Sequence, residues 1–290
     1  MTTHEDPQVA RRRVRIALRK GREAGGLTQL QAARDLDWSL SKLVRIEAGT
    51  VGLSTTDLLA LLHLYEVPES EADSLVEMAR AARRPPWYRR YEQVLSPAFR
   101  QYLSYEGAAS VLMAFHPLTI PGPLQTEEYA RAILEASGAS HVDERLKLRI
   151  ERQARRERQG SPSLDYVIDE AALHRQVGGQ VVMRAQLTQL KRAIEQPAIS
   201  LRVIPFAAGA HASMTASFTI LEFDDRHEDA LYCEGETSSS IDRDDQVAVA
   251  AYRERFGRLS SMSMPPAQVS GLIGALIEKL QHTAQAHEPR

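Results

Sequence analysis

The chain has 290 residues, a formal net charge of −2 and 43% hydrophobic residues, enough for real cores. No apolar run reaches the ~18 residues of a membrane span, and Met1-Thr2-Thr3-His4-Glu5-Asp6-Pro7 lacks an apolar signal core, so a cytoplasmic protein is expected. The single Cys233 excludes an internal disulfide framework and a thiolate zinc cluster; within Ala230-Leu231-Tyr232-Cys233 it reads as a buried small hydrophobe.

The first helix is expected from Gln8 to Glu23, burying Val14, Ala17 and Leu18. Residues 1–50 carry ten Lys and Arg against six Asp and Glu, a balance of +4, which leaves −6 on the other 240. A basic head on an acidic body fits a protein that meets DNA with one end. The run Arg11-Arg12-Arg13 with Arg15 either touches phosphates or forms a solvated helix face.

Between Gly26 and Gly49 two short helices are expected. Thr28 caps one whose inward positions are Leu30, Ala33 and Leu36. Asp37-Trp38 makes the turn, Ser39 caps a second helix to Ala48, and Gly49 closes it. Small Ala32 and Ala33 allow close backbone approach, which gives a helix-turn-helix whose second helix enters the major groove. Its Leu43 and Ile46 face the core, while Leu40, Ser41, Val44 and Arg45 face outward with Lys42 at the edge. Arg45 suits guanine, Ser41 a base or phosphate, and Leu40 and Val44 a thymine methyl. At the head of the preceding helix, Thr28 and Gln29 complete the candidate set, Gln29 holding a phosphate. The plainer alternative is a helical hairpin inside a larger α-protein, with Arg45 merely solvated.

The segment Val14 to Val67 resembles the XRE (lambda-repressor-like) helix-turn-helix family of five-helix DNA-binding domains. The resemblance rests on Leu27-Thr28-Gln29, Ser39-Leu40-Ser41-Lys42 and Arg45-Ile46-Glu47-Ala48-Gly49. It implies a phosphate-positioning role for Gln29 and base reading by Leu40, Ser41 and Arg45. The family often has Asn where this chain has Ala48.

A fourth helix from about Thr56 presents Leu58, Leu61, Leu62 and Tyr65; a fifth after Ser70 presents Leu75, Met78, Ala79 and Ala82. Pro85-Pro86 then breaks the pattern, giving an all-α domain over 1–84, a stiff linker over 85–96 and a mixed α+β domain over 97–290. In the last, strands are expected at 110–115, 164–168, 199–205, 218–223 and 230–233, the final two as a hairpin across Asp224–Asp229. Helices are expected near 97–106, 127–135, 142–158, from 180, 244–259 and 266–282; the 142–158 helix is charged. The last helix carries Val269, Leu272, Ile273, Leu276, Ile277 and Leu280, a stripe read either as core or as a self-contact.

Ile120-Pro121-Gly122-Pro123-Leu124-Gln125-Thr126-Glu127-Glu128-Tyr129-Ala130-Arg131, with Asp169-Glu170-Ala171-Ala172-Leu173 and Val203-Ile204-Pro205-Phe206, resembles the actinobacterial WhiJ-like regulators. Pro123 replaces the first Leu of their Leu-Leu pair. That resemblance implies antitoxin-like transcription regulation beside a small partner protein. The docking surface is expected at Pro121, Gly122, Leu124, Gln125, Tyr129 and Arg131.

Enzymatic readings are weak. Asp165, Asp169 and Glu170 near a strand end, His211 with Ser213, and Asp224-Asp225 with His227 are the candidates, and none makes a known constellation. No catalytic residue, metal site or cofactor is expected. The expectation is a homodimeric regulator on double-stranded DNA; the alternatives for the second domain are a small-molecule sensor and, less well supported, a hydrolase-like enzyme.

Overall fold

The computed structural model describes residues 7–48, 51–107, 109–159, 162–223, 229–235, 239–242 and 245–286. Gly49, Asp224, Asp225 and His227 lie outside the described residues. Two compact units emerge, residues 1–89 and 90–290.

The first unit contains five helices: α1 Pro7–Ala24, α2 Gln29–Asp35, α3 Leu40–Ala48, α4 Thr55–Leu64 and α5 Glu69–Ala81. Thr28 and Gln31 form a reciprocal capping box at α2. The α2–α3 turn is a Schellman closure: the Trp38 amide donates to Ala33 (2.8 Å) and the Asp37 amide to Arg34 (3.0 Å). Asp37 takes the left-handed φ of 55° that this closure requires. Val14, Leu18, Ala32, Ala33, Leu43, Ile46, Leu58, Leu61 and Leu62 make one core.

One sequence expectation changes here. Leu30 is 44% exposed rather than inward. Helix α2 buries Ala32 and Ala33, flanked by part-buried Gln29 and Leu36. Arg11 and Arg13 are exposed, and Arg11 Nε also donates to the Ala82 carbonyl (2.8 Å), tying α1 to the end of α5.

Within the expected linker stretch 85–96, Trp87–Val94 winds into a 3₁₀ helix after the two prolines. The second unit then runs α6 Pro97–Glu106, β1 Val111–His116, α7 Glu127–Ala136, α8 Val142–Gln159, β2 Ser163–Asp169, α9 Ala171–His174, α10 Gly179–Ala193, β3 Ile199–Ile204, β4 Ser217–Glu222, β5 Ala230–Glu234, β6 Ser240–Asp242, α11 Gln246–Met262 and α12 Pro266–Ala286. Its six-stranded sheet has the order β3-β2-β1-β4-β5-β6. Strands β1, β2 and β3 are parallel and joined through helices; β4, β5 and β6 continue antiparallel. The unit is α+β, with short α9 and β6 beyond the sequence reading.

Period-two alternation splits the strands between two faces. Phe115, Val167, Ile204, Phe218, Ile220 and Leu231 meet Val249, Phe256 and Leu259 of α11. The α12 stripe turns out to be core at its centre: Val269, Ile273 and Leu276 are buried where the helix lies on α10 and β3. Cys233 is half-buried at the α11 face, and burial raises its thiol pKa. No helix among the described residues is long and apolar enough to cross a membrane.

Candidate nucleic-acid interface and a cavity in the second unit

Helix α3 is divided along its length. Leu43 and Ile46 are buried in the core of the first unit, while Leu40, Ser41, Val44 and Arg45 are exposed. Ser39 caps it, its Oγ accepting from the Lys42 amide (3.2 Å). Arg45 extends along its own helix, Nε donating to the Ser41 carbonyl (3.2 Å). Thr28 is exposed at the head of α2.

Two of the expected contact residues also have intramolecular partners. The Gln29 amide nitrogen donates to Glu47 Oε2 (2.7 Å), which ties α2 to α3. Lys42 Nζ lies 2.7 Å from Asp57 and 3.6 Å from the Trp38 ring centre, held by charge on one side and a π face on the other. Helical period alone cannot show this, because Asp57 and Trp38 belong to other segments.

Glu47 is the organising residue that the sequence reading quoted without giving it a role. Arg22 Nε and Nη2 reach its two carboxylate oxygens at 2.7 and 3.1 Å, and Arg22 Nη1 donates to the Leu27 carbonyl (2.8 Å). The Glu47 hydrogen bond holds the Arg22 guanidinium above its ordinary pKa, and burial followed by the Glu47 charge pushes Tyr65 up to about 12. One buried carboxylate thus fixes α3 against α1 and α2.

In the second unit, the sheet face opposite α11 is not filled. Register places Tyr166, Ala114, Thr219 and Tyr232 in one row across four strands. Two small side chains between two tyrosines leave a hollow, a cavity of about 220 Å³. Phe99 and Tyr102 of α6 form one wall, the 119–125 segment another, and Arg145, Leu148, Arg149 and Arg152 of α8 look in from above. Those four α8 positions follow i, i+3, i+4, i+7 spacing, a signal present in the sequence but hidden by reading the helix as merely charged.

Segment 120–126 winds one short 3₁₀ turn at Gly122–Leu124 where three prolines between 117 and 123 suggest no regular structure, and side chains satisfy much of the remaining backbone. Gln125 Nε2 donates to the Ile120 carbonyl (2.7 Å) and the Ile120 amide donates to the Tyr129 hydroxyl (3.2 Å). Buried Gln186 donates to the Leu124 carbonyl (2.8 Å) and accepts from the Thr126 amide (2.7 Å). The expected partner-docking surface is therefore corrected: Pro121, Leu124, Gln125 and Tyr129 are buried, and only Gly122 and Arg131 of that set are part-exposed. Arg131 pairs with Asp143 at 2.9 Å.

The arginines above the cavity differ in their partners. Arg152 Nε and Nη2 each bond Glu106 at 2.6 Å, and Nη2 also donates to the Tyr102 hydroxyl (2.9 Å). Burial pulls that guanidinium down, but the Glu106 charge outweighs it and holds Arg152 above its ordinary range. Arg149 donates Nη1 to Gln125 Oε1 and has no carboxylate within ion-pair distance among the described residues. Burial, then the like charge of Arg152, lowers it to about 10. Burial also lowers His116 to about 4, with Arg152 adding to the effect, so the imidazole on this wall is neutral at pH 7.

Among the acid and histidine candidates, the fold joins Asp169 to His211, with Nε2 3.2 Å from Oδ2. The other nitrogen, Nδ1, accepts from the Ser213 amide (3.3 Å), so neither is left to activate the Ser213 hydroxyl. Asp165 pairs with Arg202, and Glu170 bonds His174 (3.0 Å) and the Phe206 amide (2.8 Å). Among the described residues no group of three or more His, Cys, Asp or Glu could hold a metal.

Residues 14–75 match a family described as a helix-turn-helix domain, and residues 99–274 match a domain of unknown function, DUF5753. No curated protein and no solved structure matches the chain.

Proposed function

Given that the chain belongs to the DUF5753 family and carries a helix-turn-helix domain ahead of it, we propose that it is a sequence-specific transcription regulator. It works in the cytoplasm, and its second unit senses a small molecule without catalysing a reaction. The observation that carries the DNA-reading half is the exposed face of α3. Leu40, Ser41, Val44 and Arg45 stand outward on a helix whose other side is fixed by core packing and by Glu47. Arg45 and Ser41 read base edges, Leu40 and Val44 meet thymine methyls, and Thr28 and Ser39 contact phosphates. Gln29 and Lys42 act from behind, as braces.

For the sensing half, the cavity supports a small molecule over the protein partner implied by the WhiJ-like resemblance. The motif residues that would dock a protein are inside the unit. An antitoxin-like pairing with a small protein remains a second reading only through the part-exposed Gly122 and Arg131.

The test is selection of an operator from random duplexes with the full chain, followed by affinity measurements at fixed salt. Arg45→Ala is expected to cost about 1–3 kcal/mol on the selected site and to relax one base position. Unchanged specific affinity in that variant, with the protein folded, would overturn the assignment of α3.

A further inference from the structure

We infer that the cavity of the second unit binds a small planar organic anion, a carboxylate or phosphate monoester, with Arg149 receiving the charge and the tyrosine-lined floor receiving the flat body. The inference rests on the sensing role proposed above and gives it a ligand class.

Four observations converge. First, Arg149 looks into the cavity with Gln125 as its hydrogen-bond acceptor and no carboxylate in ion-pair range among the described residues. A guanidinium has five N–H donors in a fork that fits two oxygens of a carboxylate or phosphate. Holding such a group away from water without a counter-charge is costly, and an entering anion removes that cost.

Second, the neighbouring acids offset that charge only in part. Glu106 is committed to Arg152 by two bonds of 2.6 Å, and the Tyr102 hydroxyl bridges the same pair. Glu234, which also lines the cavity, is exposed; its charge raises the Arg149 pKa, but burial and Arg152 outweigh it. Arg145 also lines the cavity; its Nε donates to the Ser140 carbonyl (2.9 Å). The site is therefore cationic on balance. His116 adds no charge to it, because burial keeps the imidazole neutral at pH 7.

Third, Gln125 is oriented. Its Nε2 is tied to the Ile120 carbonyl (2.7 Å), which turns its Oε1 towards Arg149 and holds the guanidinium in place. An anchor fixed before binding loses little freedom when the ligand arrives.

Fourth, the apolar part of the site is aromatic. Phe99 and Tyr102 stand with ring centres 5.6 Å apart and planes 6° apart, Tyr232 lies 4.7 Å from Tyr102 tilted by 46°, and Ala114 with Thr219 leaves the gap between Tyr166 and Tyr232. A planar ring can meet such rings face-on or edge-on. The volume of about 220 Å³ is below the ~300–1,000 Å³ of sites for drug-sized molecules, which restricts the occupant to metabolite size.

The experiment uses the full chain and no DNA, so its outcome is independent of the operator assignment. Benzoate, phenyl phosphate and neutral benzamide are titrated separately and followed by calorimetry and tyrosine fluorescence. Saturable millimolar binding of benzoate or phenyl phosphate, with benzamide at least about tenfold weaker, is the expected result; whichever anion binds better identifies the head group. Arg149→Met is expected to weaken the anion by about tenfold to a hundredfold. Should Arg149→Met fail to fold, Glu234→Gln provides the second reading: removal of an exposed competing charge tightens the anion and leaves benzamide unchanged. Equal binding of benzamide and benzoate, no saturable binding of either anion, or anion affinity indifferent to both substitutions would overturn the inference.

Discussion

Glu47 accepts hydrogen bonds from Arg22 and Gln29 at once, with 5% of its side chain exposed against 10% for Arg22. Removing one partner of such a pair leaves a buried charge uncompensated, which costs about 3–5 kcal/mol, whereas replacing both by apolar groups of similar volume is close to neutral. Glu47→Ala is therefore expected to lower the thermal midpoint of the first unit sharply, and Arg22→Met with Glu47→Leu to restore most of it. Circular dichroism melts of the three proteins check this. The Arg-Ile-Glu string was legible in the sequence, and so was the outward face of α3. That Glu47 points to Arg22, 25 positions earlier, was not, because periodicity assigns a face and not a partner.

His116 supplies a residue-scale test in the second unit. Its folded-state pKa of about 4 lies below the ordinary 6.5. Between those values the unfolded chain binds more protons, so stability present above pH 6.5 is lost as pH falls towards 4. At ~1.4 kcal/mol per unit the loss is at most about 3 kcal/mol. Urea midpoints of the second unit across that range are expected to decline, and His116→Gln is expected to flatten the decline.

At the scale of elements, helix α8 separates what the sequence shows from what packing adds. Its boundaries were readable from composition, but the sequence showed it only as a charged helix. In the fold its arginines lie above a sheet, and the cost of burying Arg152 is offset by Glu106 from α6. The prolines of segment 120–126 were plain in the sequence, but that Gln125, Tyr129 and Gln186 satisfy its backbone groups inside the unit was not. Strand register decides the rest: Ala114 opposite Thr219 makes the hollow, and pairing across strands is invisible to a local pattern. Ala114→Val is expected to change stability by no more than about 1.5 kcal/mol, since the added methyl groups enter open space. The same variant is expected to bind benzoate more weakly than the parent, as read by calorimetry.

For the whole molecule, division into a helical unit and an α+β unit followed from the texture of the chain and the paired prolines. The α12 stripe was equally plain, but periodicity cannot distinguish an inner face from a contact between copies; here the helix lies on α10 and β3. Its Val269, Ile273 and Leu276 are taken up by core, which leaves part-exposed Leu272, Ile277 and Leu280 of that stripe. Paired reading heads on half-sites about 34 Å apart are still expected, and light scattering on the selected operator should give the mass of two chains. We propose that Pro85 and Pro86, which close the first unit, stiffen the chain there. Replacing both with glycine is expected to leave operator affinity without ligand unchanged and to reduce the factor by which ligand alters it. A tenfold factor corresponds to ~1.4 kcal/mol of coupling.

The row Tyr166, Ala114, Thr219 and Tyr232 also bears on how proteins of this design diverge. Two small side chains at the middle of a sheet set the shape of the hollow, while α11 secures the sheet from its far side. On the proposed function, exchanges at 114 and 219 are expected to retune which chemical signal is heard, and exchanges at 40, 41, 44 and 45 which gene answers. The two sets share no residue and belong to different units, so on that proposal input and output are open to change one at a time.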